Sequence, residues 1–262
     1  MNPLAIVTCY NRWSQTAALL GSLEATVSLS YLDLVIVDNG SRDGTPERLQ
    51  EWQARRPKVH LELLPENLGT SRALNLAMQK YRRAGQDVLK IDNDVTFLRA
   101  GWLHGVKRFF QYCARIGRNV AMVSGHYPEI FAHKRTFGKE TWEWHRIIHY
   151  YPSTGCAIWY NAGFVRKSGY FDVLAPEHLY GFEDLIMAAK AQSLGWEICA
   201  WEGWAIAHAH CGNSLGDVRN EQVARMRPLY EQRVRNLKLG LFYTGPDGIP
   251  IGGSEHGTST SS

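Results

Sequence analysis

The sequence predicts an α/β domain with a mostly parallel central sheet flanked by helices. Two observations carry this expectation. Short apolar runs alternate with helical segments through the first hundred residues, the pattern of βαβ units. Three of these runs end in polar clusters: Tyr10-Asn11-Arg12, Asp38-Asn39-Gly40-Ser41 and Asp92-Asn93-Asp94. Parallel sheets bind ligands at the carboxyl ends of their strands, where these clusters lie.

The elements follow in order. Leu4–Thr8 reads as a buried strand. Ser14–Ala25 reads as a helix with Ala17, Leu20 and Leu23 on one face. Leu32–Val37 is a second strand. Thr45-Pro46 starts a helix, a capping hydroxyl before a proline at the first helical position, and that helix runs to about Arg56. Val59–Leu64 is a third strand. Ser71–Arg83 is a helix with Leu74, Ala77, Met78 and Tyr81 on one stripe, and Val88–Ile91 is a fourth strand. The second half is less regular. Helices are expected at Trp102–Arg115 and Asp184–Leu194, and a charged, amphipathic one at Asp217–Gly240. Strands are expected at Val120–Ser124, Thr154–Trp159, Trp196–Ala200 and Ala205–His210. His126–Ser153 is crowded with aromatic and basic residues, and the Gly/Ser/Thr-rich Gly252–Ser262 reads as a disordered tail.

Composition narrows the class. The 262 residues are 45% hydrophobic and 21% charged, enough to build one large globular core. A net charge of +4 favours anionic ligands but is too small and dispersed for a nucleic-acid binder. The five cysteines are odd in number and form no CxxC pair, which argues against a disulfide scaffold or zinc knuckle and for a reducing, cytoplasmic location. No apolar run reaches the ~20 residues of a membrane span.

Four stretches can carry chemistry. Asp92 and Asp94 are spaced i, i+2, so in a strand they share a face. Paired hard oxygens suit Mg²⁺ or Mn²⁺, ions that often accompany phosphate-bearing substrates, although Asp and Asn are also ordinary turn residues. Asp38 at a strand end can accept hydrogen bonds from a ribose hydroxyl or a base. Arg72, in the first turn of a helix opened by Gly69, opposes the helix dipole, a cost that an anionic ligand would offset. Glu183 and Asp184 follow Gly181-Phe182 and begin an apolar helix; they are either ordinary capping acids or a general base with its companion. His208 and His210 alternate along a strand, and either can supply a metal ligand.

Together and in this order, these pieces resemble glycosyltransferase family 2. The resemblance spans about Ile6 to Ser214 and rests on Thr8-Cys9-Tyr10-Asn11-Arg12, Val37-Asp38-Asn39-Gly40-Ser41-Arg42-Asp43-Gly44-Thr45, Asn67-Leu68-Gly69 with Ala73-Leu74-Asn75, Asp92-Asn93-Asp94, Gly169-Tyr170-Phe171-Asp172, Gly181-Phe182-Glu183-Asp184 and His210-Cys211-Gly212. It implies a GT-A fold, Rossmann-like, with a nucleotide-sugar-binding half over 1–99, a less regular acceptor-binding and catalytic half over 100–215, and a C-terminal helix and extension over 216–251. Thr8, Tyr10, Arg12 and Asp38 would line the nucleotide pocket. Gly69, Arg72, Asp92 and Asn93 would complete the donor side, with Asp92 toward the ribose or donor sugar. Asp94 would bind Mn²⁺ or Mg²⁺ with His210, or failing it His208. Asp184 would be the base and Glu183 would hold the acceptor.

The implied reaction moves one sugar from a nucleotide sugar, a UDP-hexose, to a hydroxyl of a glycan, a lipid-linked acceptor or another acceptor, by single displacement with inversion. A retaining transferase, a nucleotidyltransferase and a non-catalytic nucleotide-sugar-binding protein are the alternatives. The chain departs from the pattern at Cys9, where proline is common, at Ile186, where a second acid is common, and at Lys190, where arginine is common. Gln222-Val223-Ala224-Arg225-Met226 only half matches the Gln-x-x-Arg-Trp of processive synthases, which favours transfer of a single sugar. His126–Tyr151 is the candidate acceptor wall or lid.

Overall fold

The computed structural model describes residues 1–126, 136–142, 145–150, 155–209 and 216–251, with the backbone alone for 136–142, 145–150 and 216–219. The first half follows the expected alternation: β1 (Leu4–Cys9), α1 (Trp13–Thr26), β2 (Asp33–Asp38), α2 (Thr45–Ala54), β3 (His60–Leu63), α3 (Thr70–Tyr81) and β4 (Val88–Asp92). Then come β5 (Val95–Phe97), α4 (Trp102–Arg115), β6 (Val120–His126), β7 (Thr136–Trp142), β8 (His145–Tyr150), β9 (Ala157–Tyr160), α5 (Ala162–Ser168), α6 (Glu183–Ser193), β10 (Glu197–His208) and α7 (Gly216–Leu237).

The strands form one mixed sheet in the order β3-β2-β1-β4-β9-β6-β10-β8-β7, with β5 paired to β10. β1 to β4 are parallel, whereas β9 runs antiparallel between β4 and β6. The sheet is therefore continuous across residues 99–100. Alternation along the strands sorts the core. Ala5, Val7, Leu34, Ile36, Leu89 and Ile91 face α1, α2 and α4. Leu4, Ile6, Val35, Val37 and Val88 face α3, α5 and α6. The second face takes the i+2 residues of β4 as well, and so directs Lys90 and Asp92 toward α6.

Three expectations are corrected. The two strands expected at 196–200 and 205–210 are one, β10, with a register irregularity between Trp201 and Ala205. Helix α5 and strand β5 went unread, being too short to show a period. Thr45 does not cap α2 by accepting a bond; Gly44 holds the cap position, and the Thr45 hydroxyl donates to Asp43 Oδ1 at 2.6 Å. The tail at 252–262 lies outside the described residues, as do 127–135, 143–144 and 151 of the segment expected to form an acceptor wall or lid; the described remainder of that segment carries β7 and β8.

Candidate active site

The loops at the carboxyl ends of β1 and β2 are fastened to each other. Asn11 and Arg12 both take left-handed backbone, φ 55° and 63°, which is uncommon for residues other than glycine. The Asn11 N–H donates to Ser41 Oγ at 2.6 Å, and its side-chain oxygen accepts from the Arg42 N–H at 2.9 Å. Asp38 is buried and accepts from the Ser41 N–H at 2.9 Å and the Ser41 hydroxyl at 2.5 Å. The Cys9 thiol lies 3.6 Å from Asp38 Oδ1, and burial, then the charge of Asp38, pushes it well above its ordinary value. Thr8, between Val37 and Asp92 in the sheet, and the exposed Tyr10 border this rim.

Two clusters follow β4. In the first, Asp94 Oδ1 sits 3.0 Å from His208 Nε2, with the Arg12 guanidinium 3.9 Å from Oδ2. The short β5 causes this meeting: it pairs antiparallel with the end of β10, Val95 against His208, and the Ala209 N–H donates to the Asp94 carbonyl. Burial pushes the Asp94 carboxyl up, but the His208 bond and charge and Arg12 outweigh it and hold the group low. Burial likewise opposes the His208 charge, yet Asp94 and Cys156 push that imidazole up to about 10. His208 is thus the histidine placed beside Asp94, while His210 lies outside the described residues. A carboxylate oxygen facing an imidazole nitrogen fits a small divalent ion. No group of three such ligands occurs among the described residues. Asn93 turns away to donate to Thr16 Oγ1 at 3.1 Å.

The second cluster surrounds Lys90, which sequence reading absorbed into an apolar strand. Its ammonium is fully buried and lies 2.6 Å from Asp184 Oδ2, 3.1 Å from Asp92 Oδ1 and 3.6 Å from Glu183 Oε1. It also donates to the Gly155 carbonyl at 2.7 Å. Tyr160, another unanticipated member, donates from β9 to Asp184 Oδ1 at 2.7 Å. Burial pushes the Asp184 carboxyl up, chiefly against the pull of Lys90, with Glu183 adding to the rise. Desolvation also pushes Asp92 up to about 7, with Lys90 opposing and Asp184, Asp94 and Glu183 assisting. Glu183 Oε2 is buried and has no hydrogen-bond partner among the described residues. The one available signal for Lys90 was its position: a lysine inside a strand covered on both faces requires a buried counter-charge.

The loop before α6 presents this acidic pair. Phe182 has φ 68°, an outlier for a bulky side chain, and stacks on Tyr230 of α7 with centroids 4.8 Å apart. Met226, at the position of the processive tryptophan, packs in the same buried cluster with Phe182 and Ile186. Arg72 corrects an expectation. Its guanidinium donates to the carbonyls of Leu68, Ala175, Pro176 and His178, so it fastens the loop ahead of Glu183 and its donors are not directed at a diphosphate. Gly69 serves the same junction. A Cβ there would lie 2.5 Å from the His178 carbonyl oxygen, and Thr70 N–H donates to the Leu179 carbonyl.

Residues 4–167 match the profile described as Glycosyl transferase family 2. The chain belongs to this family. Its fold is similar to that of the mannosyltransferase PcManGT from Pyrobaculum calidifontis, solved with GDP-Man and Mn²⁺, at a TM-score of 0.60 and 19% identity, covering 91% of this chain and 70% of that one. Residues 1–349 of S. aureus TarS, solved with UDP, match at 0.60 and 17% identity, covering 90% and 66%. GalNAc-T7, solved with UDP, GalNAc and Mn²⁺, matches at 0.59 and 14%, covering 79% of this chain and 44% of that one. No curated protein matches the chain. As a family member it is a glycosyltransferase of GT-A fold, and among its described residues no helix is long and apolar enough to cross a membrane.

Proposed function

We propose that the protein transfers one sugar from a UDP-hexose to an acceptor hydroxyl, of a glycan or lipid-linked molecule, with inversion at the anomeric carbon. Asp184 takes the hydroxyl proton as the acceptor oxygen forms its bond to that carbon. The bond to the diphosphate breaks, and the nucleoside diphosphate leaves. The observation that carries this reading is the setting of Asp184: a buried carboxylate at a helix start, raised by desolvation and oriented by Lys90 and Tyr160. The unpartnered Glu183 Oε2 supports a role in holding the acceptor, since a buried acceptor atom favours a ligand that brings a donor.

On the donor side, Thr8, Tyr10, Arg12 and Asp38 border the nucleotide, and Asp92 reaches the ribose or sugar. Asp94 and His208 would hold Mn²⁺, which the imidazole favours over Mg²⁺. A divalent ion held there would supply positive charge opposite the departing diphosphate, an effect worth several kcal/mol.

The test incubates the protein with Mn²⁺ and a panel of nucleotide sugars, and measures nucleotide release and binding. Asp184→Asn should abolish transfer and spare donor binding. Full transfer by that variant would refute the base, and a product that retains the donor's anomeric configuration would refute inversion.

A further inference from the structure

We propose that Lys90 is a positioning residue for the transfer step, keeping the Asp184 carboxylate ionised and fixed in orientation; this rests on Asp184 being the base. Packing does not require a lysine here. Val88, on the same face of β4, is apolar, and an unbranched apolar side chain would fill the position. The requirement is electrostatic. Asp92, Glu183 and Asp184 all lie within 3.6 Å of one ammonium, and Lys90 is the cation at their centre. Without it the adjacent Glu183 and Asp184 would repel, and the pair would take up a proton. A protonated Asp184 cannot accept one from an acceptor hydroxyl.

The geometry adds orientation to charge. Lys90 holds Oδ2 and Tyr160 holds Oδ1, so each oxygen is fixed by one donor and keeps lone-pair capacity for the acceptor. A Cβ at Gly155 would come within 3.2 Å of Oδ2, and the glycine leaves that space clear. Among the described residues, the charged or titratable groups facing Asp184 are Lys90 and Asp92 from β4, Tyr160 from β9 and Glu183 from α6. Because Lys90 and Asp92 share a strand face, one lysine ties the donor-side acid to the acceptor-side base.

The test is Lys90→Met, close in shape and neutral, measured in the full chain beside Asp184→Asn and the double variant. Turnover should fall on the order of 10²-fold, the scale of a lost proton-transfer contribution. UDP affinity with Mn²⁺ should be unchanged, and the acidic limb of the rate profile should move to higher pH. The double variant should melt above Lys90→Met alone, because removing the Asp184 charge relieves what the lysine had balanced. Wild-type turnover and pH profile in Lys90→Met would overturn the proposal. So would a loss of UDP affinity parallel to the loss of turnover, which would place the lysine on the donor side. If Lys90→Met does not fold, the double variant decides: a restored cooperative melt supports the pairing, and continued misfolding overturns it. A wild-type protein that releases nucleotide from no donor overturns the transferase reading instead, and the melting comparison still reads the Lys90–Asp184 pair.

Discussion

Asp94 and His208 come from opposite halves of the chain and meet only because three residues, Val95-Thr96-Phe97, pair with the end of β10. Without a bound ion they form an ion pair, each held in its charged state by the other. Asp94→Ala should therefore remove the Mn²⁺ dependence of UDP binding. His208→Ala should weaken the Mn²⁺-supported affinity by at least the 10- to 100-fold that is typical for loss of an outer-shell partner. Titration calorimetry with UDP, with and without Mn²⁺, measures both, and an unaltered metal dependence in either variant would remove that residue from the site. Arg72 leads to a different expectation. Four carbonyls, spanning Leu68 to His178, accept from its guanidinium. Arg72→Gln leaves most of them without a donor and loosens the loop that presents Glu183. It should raise the acceptor KM with little change in nucleotide affinity; the opposite pattern, weaker nucleotide binding with an unchanged acceptor KM, would restore the diphosphate role expected from the sequence. That expectation identified a cation whose cost had to be met. It could not distinguish carbonyl from phosphate oxygens, since the loop at 175–178 lies a hundred residues away.

At the scale of elements, the first half was legible because each strand and helix has its own period and turn residues. Thr45-Pro46 located α2 correctly even though the hydroxyl bonds differently from a capping hydroxyl. The second half was less legible because its elements are held by contacts distant in sequence. β9, only Ala157–Tyr160, is inserted antiparallel between β4 and β6, and no local pattern states that placement. Helix α4 is a clear case of packing overriding propensity. Glycine in a helix interior costs about 1 kcal/mol relative to alanine, which would make Gly105→Ala a stabilising change. The Trp201 indole decides otherwise. A Cβ on Gly105 would lie 1.8 Å from the ring, and Trp201 is itself buried in β10. A Cβ on Gly203 would likewise lie 2.2 Å from the same ring, so both glycines leave the indole its space and it has little room to retreat. Overpacking of this kind costs roughly 1–3 kcal/mol, more than the propensity gain. Gly105→Ala should lower the melting temperature; a rise would show that the indole relocates freely.

At the scale of the whole molecule, the acids of the candidate site were legible as motifs, while the buried charges packed against them were not. Lys90 was hidden among apolar neighbours, and Lys190 registered only as a departure from arginine. Their roles depend on partners that topology alone supplies. Lys190 is fully buried and bonds Asp172 at 2.6 Å, Thr244 Oγ1 at 2.7 Å and the carbonyls of Ser168 and Tyr170. Arg233 of α7 grips the other Asp172 oxygen and donates to the Leu241 carbonyl. One carboxylate thus joins α6, α7 and the C-terminal extension through Thr244, whose hydroxyl also donates to Asp172. The same α7 carries Tyr230 and Met226 beneath Phe182, so this network lies behind the presentation of Glu183 and Asp184. Breaking a buried pair by removing one partner typically costs about 3–5 kcal/mol, because it leaves uncompensated charge. Asp172→Asn should therefore lower the melting temperature by roughly 10 °C in a chain of this size. Its pH dependence has a definite sign. Burial pushes the Asp172 carboxyl up, but Lys190 and Arg233 outweigh it and hold the folded-state value below the ordinary one. A depressed carboxylate contributes stability that is complete above the unfolded-state value, about 3.9, and is lost as pH falls through the folded value. The melting difference between wild type and Asp172→Asn should stay constant from pH 8 to about 5 and narrow only below about 4. Calorimetry across that range measures it, and a gap already closing near pH 6 would mean that Asp172 is not held ionised by its two cations.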